Sequence, residues 1–297
     1  MLNAKLKNYL HLHFLVFIAG FTAILGELIT IGSIPLVWYR MVIAAILMFV
    51  YIKWRGINLS VSWATIAKFS IAGIIIALHW ITFFESIKQA NISIALSMFA
   101  SGAFFASLIE PLFYKRKIIG YEILFGVIVI IGVWLITATE FQYINGIILG
   151  ISSALFSSFF AVINGKFVEK YRASVISFYE FLSGIACITI FLLIFSDGFN
   201  RSYFDLSFDD WKYLFILGSI CTAYAFIAAV YVMRYISPYT VVLTYNLEPI
   251  YGIFLALMIF PEKEKMSTQF YIGALLIIST VIINGILKNS GKTKKIM

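Results

Sequence analysis

Charge is scarce in this chain. Of its 297 residues 12% are charged and 62% are hydrophobic. Soluble domains carry about 25% charged residues, so this composition cannot cover a water-facing surface. It excludes a soluble enzyme or a soluble binding module. Cysteine is nearly absent. Cys187 and Cys221 both fall inside apolar runs, where they read as small packing residues and not as a disulfide or a thiolate metal pair. Three scattered histidines offer no ligand cluster, so no metal and no cofactor is expected. The chain also lacks a Walker A loop and an HExxH segment. It has no intramembrane aspartate pair, because Asp209 and Asp210 fall in a connection, and no mid-span lysine late in the chain to hold retinal. ATP-driven transport and intramembrane catalysis therefore lack their usual groups.

What is present is apolar length. A membrane helix needs about 20 mostly apolar residues. Ten such runs occur, at 12–31, 34–53, 66–87, 92–113, 118–137, 143–164, 174–195, 212–233, 239–260 and 269–287. They predict an all-α membrane protein of ten transmembrane helices. Lys5 and Lys7 precede the first run as in a signal peptide, but no small-residue cleavage site follows, so the first helix is expected to be uncleaved.

Sixteen of the 22 cations fall in the termini and the even-numbered connections if the amino terminus is placed inside. Five (Lys88, Arg201, Lys212, Lys263 and Lys265) fall on the other side, and Arg40 sits within a span. This bias predicts both termini in the cytoplasm. It also explains the net charge of +8 without a nucleic-acid partner.

The chain repeats its rhythm. Residues 1–137 and 138–297 each supply five spans, with a short link between the third and fourth: SIKQANIS at 86–93 and VMRYISPY at 232–239. Five is odd, so the second half must enter the membrane inverted. Such a plan belongs to secondary transporters, whose sites lie near mid-depth between the repeats.

Within the ninth run stands YNLEPI, residues 245–250. An ionisable residue at that depth costs about 2.5–3.5 kcal/mol and often marks a pathway. LEPIYGIFLALMIFPEKEKMSTQFYIGALLI, residues 247–277, resembles the EamA-type transporters of the drug/metabolite transporter superfamily. The resemblance rests on the Glu248–Pro249 pair, a turn glutamate at Glu262 and Gly273 opening the tenth helix. Pro35 and Arg40 carry it in the first half. Two features depart from the pattern. Lys115 stands where the first turn glutamate belongs, and helix four has no Glu-Pro near Gly102–Ala103. The resemblance implies an integral protein of the bacterial inner membrane that exports small metabolites, among them amino acids or amphipathic compounds. The alternatives are an intramembrane enzyme acting on a lipid-like substrate and a non-transporting scaffold. The partners implied are a small-molecule substrate and membrane lipid.

Glu248 is the leading candidate. It either binds substrate or carries a proton, or it glues helices through a hydrogen bond or a pair with Arg40. Thr244 and Tyr251, at i−4 and i+3, are its expected wall neighbours on one helical face, and Pro249 is the expected hinge. Arg40 either contacts a substrate carboxylate or pairs with Glu27. His79 and Trp80 lie mid-way along helix three, Glu180 lies in helix seven, and Ser97 belongs to the Ser93, Ser97, Ser101 face of helix four. Each has a packing alternative. Glu85 and Lys88 read as an i,i+3 pair. Trp38, Tyr39, Trp80 and Tyr251 are candidates for an aromatic cavity wall.

Overall fold

A bilayer core offers no water to backbone N–H and C=O groups, so sequences this apolar must satisfy them within helices. The computed structural model describes residues 4–115, 117, 119–196, 198–232, 235, 244, 245 and 247–293, with side chains except at 4, 5, 202, 230, 285 and 288–293. Among these residues there are helices and no strand. In order they are α1 (Ala4–Leu28), α2 (Ser33–Trp54), α3 (Trp63–Gln89), α4 (Ile92–Phe99), α5 (Gly102–Tyr114), α6 (Gly120–Thr139) and α7 (Ile144–Phe167). Then come α8 (Ala173–Phe195), the short α9 (Arg201–Phe204), α10 (Phe208–Gly218), a π-helical segment (Ser219–Tyr224) and α11 (Ala225–Val232). The last two are α12 (Glu248–Ile259) and α13 (Thr268–Thr293).

Among the described residues eight helical spans are long and apolar enough to cross a membrane, with α4–α5 and α10–α11 each counted as one span; α12 and the described apolar part of α13 are shorter. The start of the ninth expected span, 239–243, lies outside the described residues, as does most of the link 232–239.

Local chemistry sets several helix starts. Ser62, Asn91 and Ser207 accept hydrogen bonds from the N–H groups of Thr65, Ile94 and Asp210, each satisfying a donor that the helix itself cannot. The fourth span is broken. Ala100 and Ser101 form a turn between α4 and α5. Ser101 Oγ donates to Met98 O at 2.6 Å, and Ser158 Oγ reaches from α7 to donate to Gly102 O at 2.8 Å, so freed carbonyls find partners at depth. In α12, Pro249 occupies the first turn, where a missing N–H costs nothing. Pro249, the expected hinge, thus stands at a helix start.

Connections sort onto two faces. On one, Thr30 in the first connection donates to Asp210 at the head of α10, Lys88 Nζ donates to Ile29 O, and Glu140 accepts from Ser267 N. On the other, which bears the start of α1, Thr65 Oγ1 contacts Tyr171 Oη and Tyr179 donates to Leu59 O. The second, fourth and sixth connections meet there. The main core lies among α1, α2, α3, α8 and α10–α11, and a second core lies among α4, α6, α7 and α13.

Packing recurs in pairs. α3 lies against α7 and α8, and the α10–α11 helix lies against α1 and α2. α6 packs on α13, and α4 on α12. Close approach requires glycine at several crossings, two of which involve Glu180 and Arg40. A Cβ on Gly73 would strike the carbonyl of Glu180, and a Cβ on Gly218 would stand 3.2 Å from the carbonyl of Arg40 and 2.7 Å from Ile43. Replacing Gly73 with alanine should cost about 1–3 kcal/mol through overpacking. Gly120→Ala, with nothing within 4 Å of its Cβ, should leave stability unchanged; thermal unfolding in detergent compares the two.

Candidate functional site

A cavity of about 370 Å³ opens between the two groups of helices. Arg40 (α2), His79 and Trp80 (α3), Phe99 at the end of α4, Asn164 (α7), Cys221 and Phe226 (α10–α11), Tyr245 and Glu248 all line it. Its wall continues to Val168 and Ala173, which flank the sixth connection, so it reaches the face bearing the start of α1. At the opposite face the helices are tied shut. Asp210 receives Thr30 N at 2.7 Å and Thr30 Oγ1 at 2.8 Å, and it also accepts from Ser207. Lys263 pairs with Glu27.

Arg40 is 4% exposed. Its guanidinium carbon sits 3.9 Å from the centroid of the Trp80 ring, and its Nε donates to Thr222 Oγ1 at 2.8 Å. The π-helical turn makes this bond possible. Thr222 Oγ1 donates in turn to Leu217 O, five residues back, at 2.8 Å, and the widened turn directs the hydroxyl toward α2. π turns of this kind recur at functional sites. The guanidinium thus keeps its charge within a span on an aromatic face and one hydroxyl.

Glu248 begins α12, where a helix N-terminus favours negative charge. Arg40 and Glu248 face one cavity, and no salt bridge joins them among the described residues. The expected alternative of a direct pair is absent, and so is the pair of Arg40 with Glu27, whose carboxylate is taken by Lys263.

His79 is held to α7 through Ser153: Nδ1 lies 2.8 Å from Ser153 Oγ, and the ring stacks near Phe99. Glu180 is fully buried. It accepts from Asn164 Nδ2 at 2.8 Å, and its second oxygen has no partner among the described residues. Asn164 lines the cavity, so Glu180 stands one side chain behind the wall. Ser97 is fully buried away from the cavity.

Several expectations are corrected. Thr244 and Tyr251 are not in the cavity wall; Tyr251 Oη contacts His13 Nδ1 at 3.3 Å, on the α1 side. The i−4 and i+3 reasoning assumed one helix through residues 239–260, whereas α12 starts at Glu248 and Tyr245 supplies the wall. Trp38 and Tyr39 are also elsewhere, in an aromatic cluster with Phe199, Tyr203 and Trp211. Glu85 accepts from Gln89, not from Lys88. The buried turn glutamate is Glu264, whose oxygens accept from Ile92 N at 3.0 Å and Ser93 N at 2.8 Å, while Glu262 is exposed. Sequence reasoning missed Asn164, Thr222, Tyr245 and Phe226. The first two were legible as polar residues in apolar runs; nothing in the sequence marked the others.

A helical membrane protein with a charged, aromatic cavity among its spans is of the kind that moves solutes. The chain belongs to the EamA-like transporter family, whose profile matches residues 7–138 and 144–286, and it is a drug/metabolite transporter superfamily member. It is an integral membrane protein and a transporter of small molecules. No curated protein matches it. A solved structure described as "Crystal structure of protein" aligns over 96% of this chain and 99% of its own length, with TM-score 0.65 and 15% identity, a likeness of fold.

Thr222→Val removes the acceptor of a charged donor and should cost about 1.5–3 kcal/mol, read by thermal unfolding in detergent. Cys221 lines the cavity and Cys187 does not. In a Cys187→Ser background a small maleimide should label Cys221, and Ala225→Trp, which fills the adjacent wall, should slow that labelling.

Proposed function

We propose that the chain is a secondary transporter that exports small zwitterionic or amphipathic metabolites, amino acids among them, by alternating access. The carrying observation is the cavity's asymmetry: it reaches one face and is tied shut at the other. In this reading Arg40 receives the substrate's carboxylate and Glu248 its amine or a proton, while Trp80, Phe99, Phe226 and Tyr245 hold the apolar part. A volume of about 370 Å³ is in the range of small-molecule sites.

Residues 1–137 and 138–297 act as two five-helix units of opposite sense. The paired packing supports this. The breaks support it too: α5 and α12 start at Gly102 and Glu248 and end at Tyr114 and Ile259, as corresponding half-helices of two repeats. The crossings at Gly73–Glu180 and Gly218–Arg40 make Arg40 and Glu180 counterparts. Lysines and arginines concentrate on the open face, so this face is cytoplasmic, both termini are inside and the membrane is the bacterial inner one. Pro249 fixes the start of α12, about which that half-helix turns.

Purified protein in vesicles should move members of a metabolite panel, faster with a pH gradient. Arg40→Ala should abolish transport of carboxylate substrates. Glu248→Gln should remove the dependence on the gradient; normal transport with unchanged pH dependence would end the coupling role. A disulfide between Thr30→Cys and Asp210→Cys should arrest turnover until reduced. Full turnover with that bridge closed would refute alternating access at this face.

A further inference from the structure

We propose that a second pocket, between the ends of α3, α5 and α7 on the open face, binds the phosphate of an anionic membrane phospholipid. The pocket encloses about 550 Å³. Four lysines line it from separate elements: Lys68 on α3, Lys115 just past α5, and Lys166 and Lys170 at the end of α7 and the turn beyond. Glu169 is the acid among the lining residues, which leaves a net charge of three positives.

Its floor is aromatic and fixed. Phe69 is fully buried and meets Phe167 and Tyr171 edge-on at 4.9 and 5.3 Å. Lys166 Nζ lies 5.7 and 5.2 Å from the ring centroids of Phe113 and Tyr114, so its position is set by the rings. Lys115 has φ 51°, a conformation that among the described non-glycine residues occurs here alone. It turns the chain at the pocket rim.

The depth points to lipid as the source of the phosphate. Leu112, next to Phe113, is 78% exposed, Leu108 one turn earlier is also exposed, and Trp63 at the head of α3 is 85% exposed. These are surfaces for acyl chains and an interfacial tryptophan. Basic pockets between helix ends suit anionic headgroups.

Native mass spectrometry of the full chain in detergent tests this, with phosphatidylglycerol, phosphatidylcholine and inorganic phosphate as probes. Phosphatidylglycerol should be retained over phosphatidylcholine. The combined Lys68→Gln, Lys166→Gln and Lys170→Gln variant should lose about a hundredfold in affinity, and Glu169→Gln should bind more tightly. The opposite signs of these variants separate binding from misfolding, and single Lys166→Gln serves if the triple variant fails to fold. Equal retention of the two lipids, or no change in the variants, overturns the proposal. Displacement of phosphatidylglycerol by millimolar inorganic phosphate also overturns it, assigning the pocket to a soluble anion.

Discussion

The charge of Arg40 is the constraint to which the middle of the molecule answers. A guanidinium does not lose its proton in a protein, so within a span it must be covered or wetted. Here Trp80 covers one face and Thr222 takes one N–H. Each partner requires something of its own helix. Trp80 needs α3 pressed against α8, which Gly73 permits; Thr222 needs the π turn, and Gly218 lets that helix approach α2. Arg40 also lines the cavity. One ionised side chain thereby ties three helices together at the cavity wall.

The two faces are held by different chemistry. On the sealed face carboxylates hold backbone and hydroxyl groups: Asp210 at Thr30, Glu264 at the head of α4, Glu140 at Ser267. The first two of these join segments from the two halves of the chain. The open face is held by aromatic contacts, such as Phe69 with Phe167 and Tyr171, and by lysines. Glu27 and Lys263 also resolve a sequence puzzle. The lysines of EKEK fall on the side opposite to most cations, and one of them is the partner of an acid at the end of α1.

The span positions were legible because apolar length is a strong signal; α2, α7 and α8 end within a few residues of the expected limits. Arg40, His79, Trp80 and Glu248 were legible as polar or aromatic groups where lipid tolerates few. The cavity wall was not. Helical periodicity places residues on a face only while a helix continues, and α4–α5 and the start of α12 interrupt it. The burial of Glu264 and the exposure of Glu262 were illegible for a related reason. Both lie in one charged turn, and only the tertiary contact with the head of α4 distinguishes them. The aromatic residues were numerous enough that composition could not divide those in the cavity from those clustered around Tyr203.

Arg40 has a consequence beyond the solute. An opening that penetrates this far into a membrane leaves little insulation against the leak of small cations. A permanent positive charge at its inner end raises the electrostatic energy of metal cations such as sodium there, as arginine does in the selective pores of water channels. In the proposed reading, where Arg40 receives a carboxylate, the same guanidinium also opposes the leak of metal cations, and a solute carrying its own negative group would neutralise that barrier as it enters.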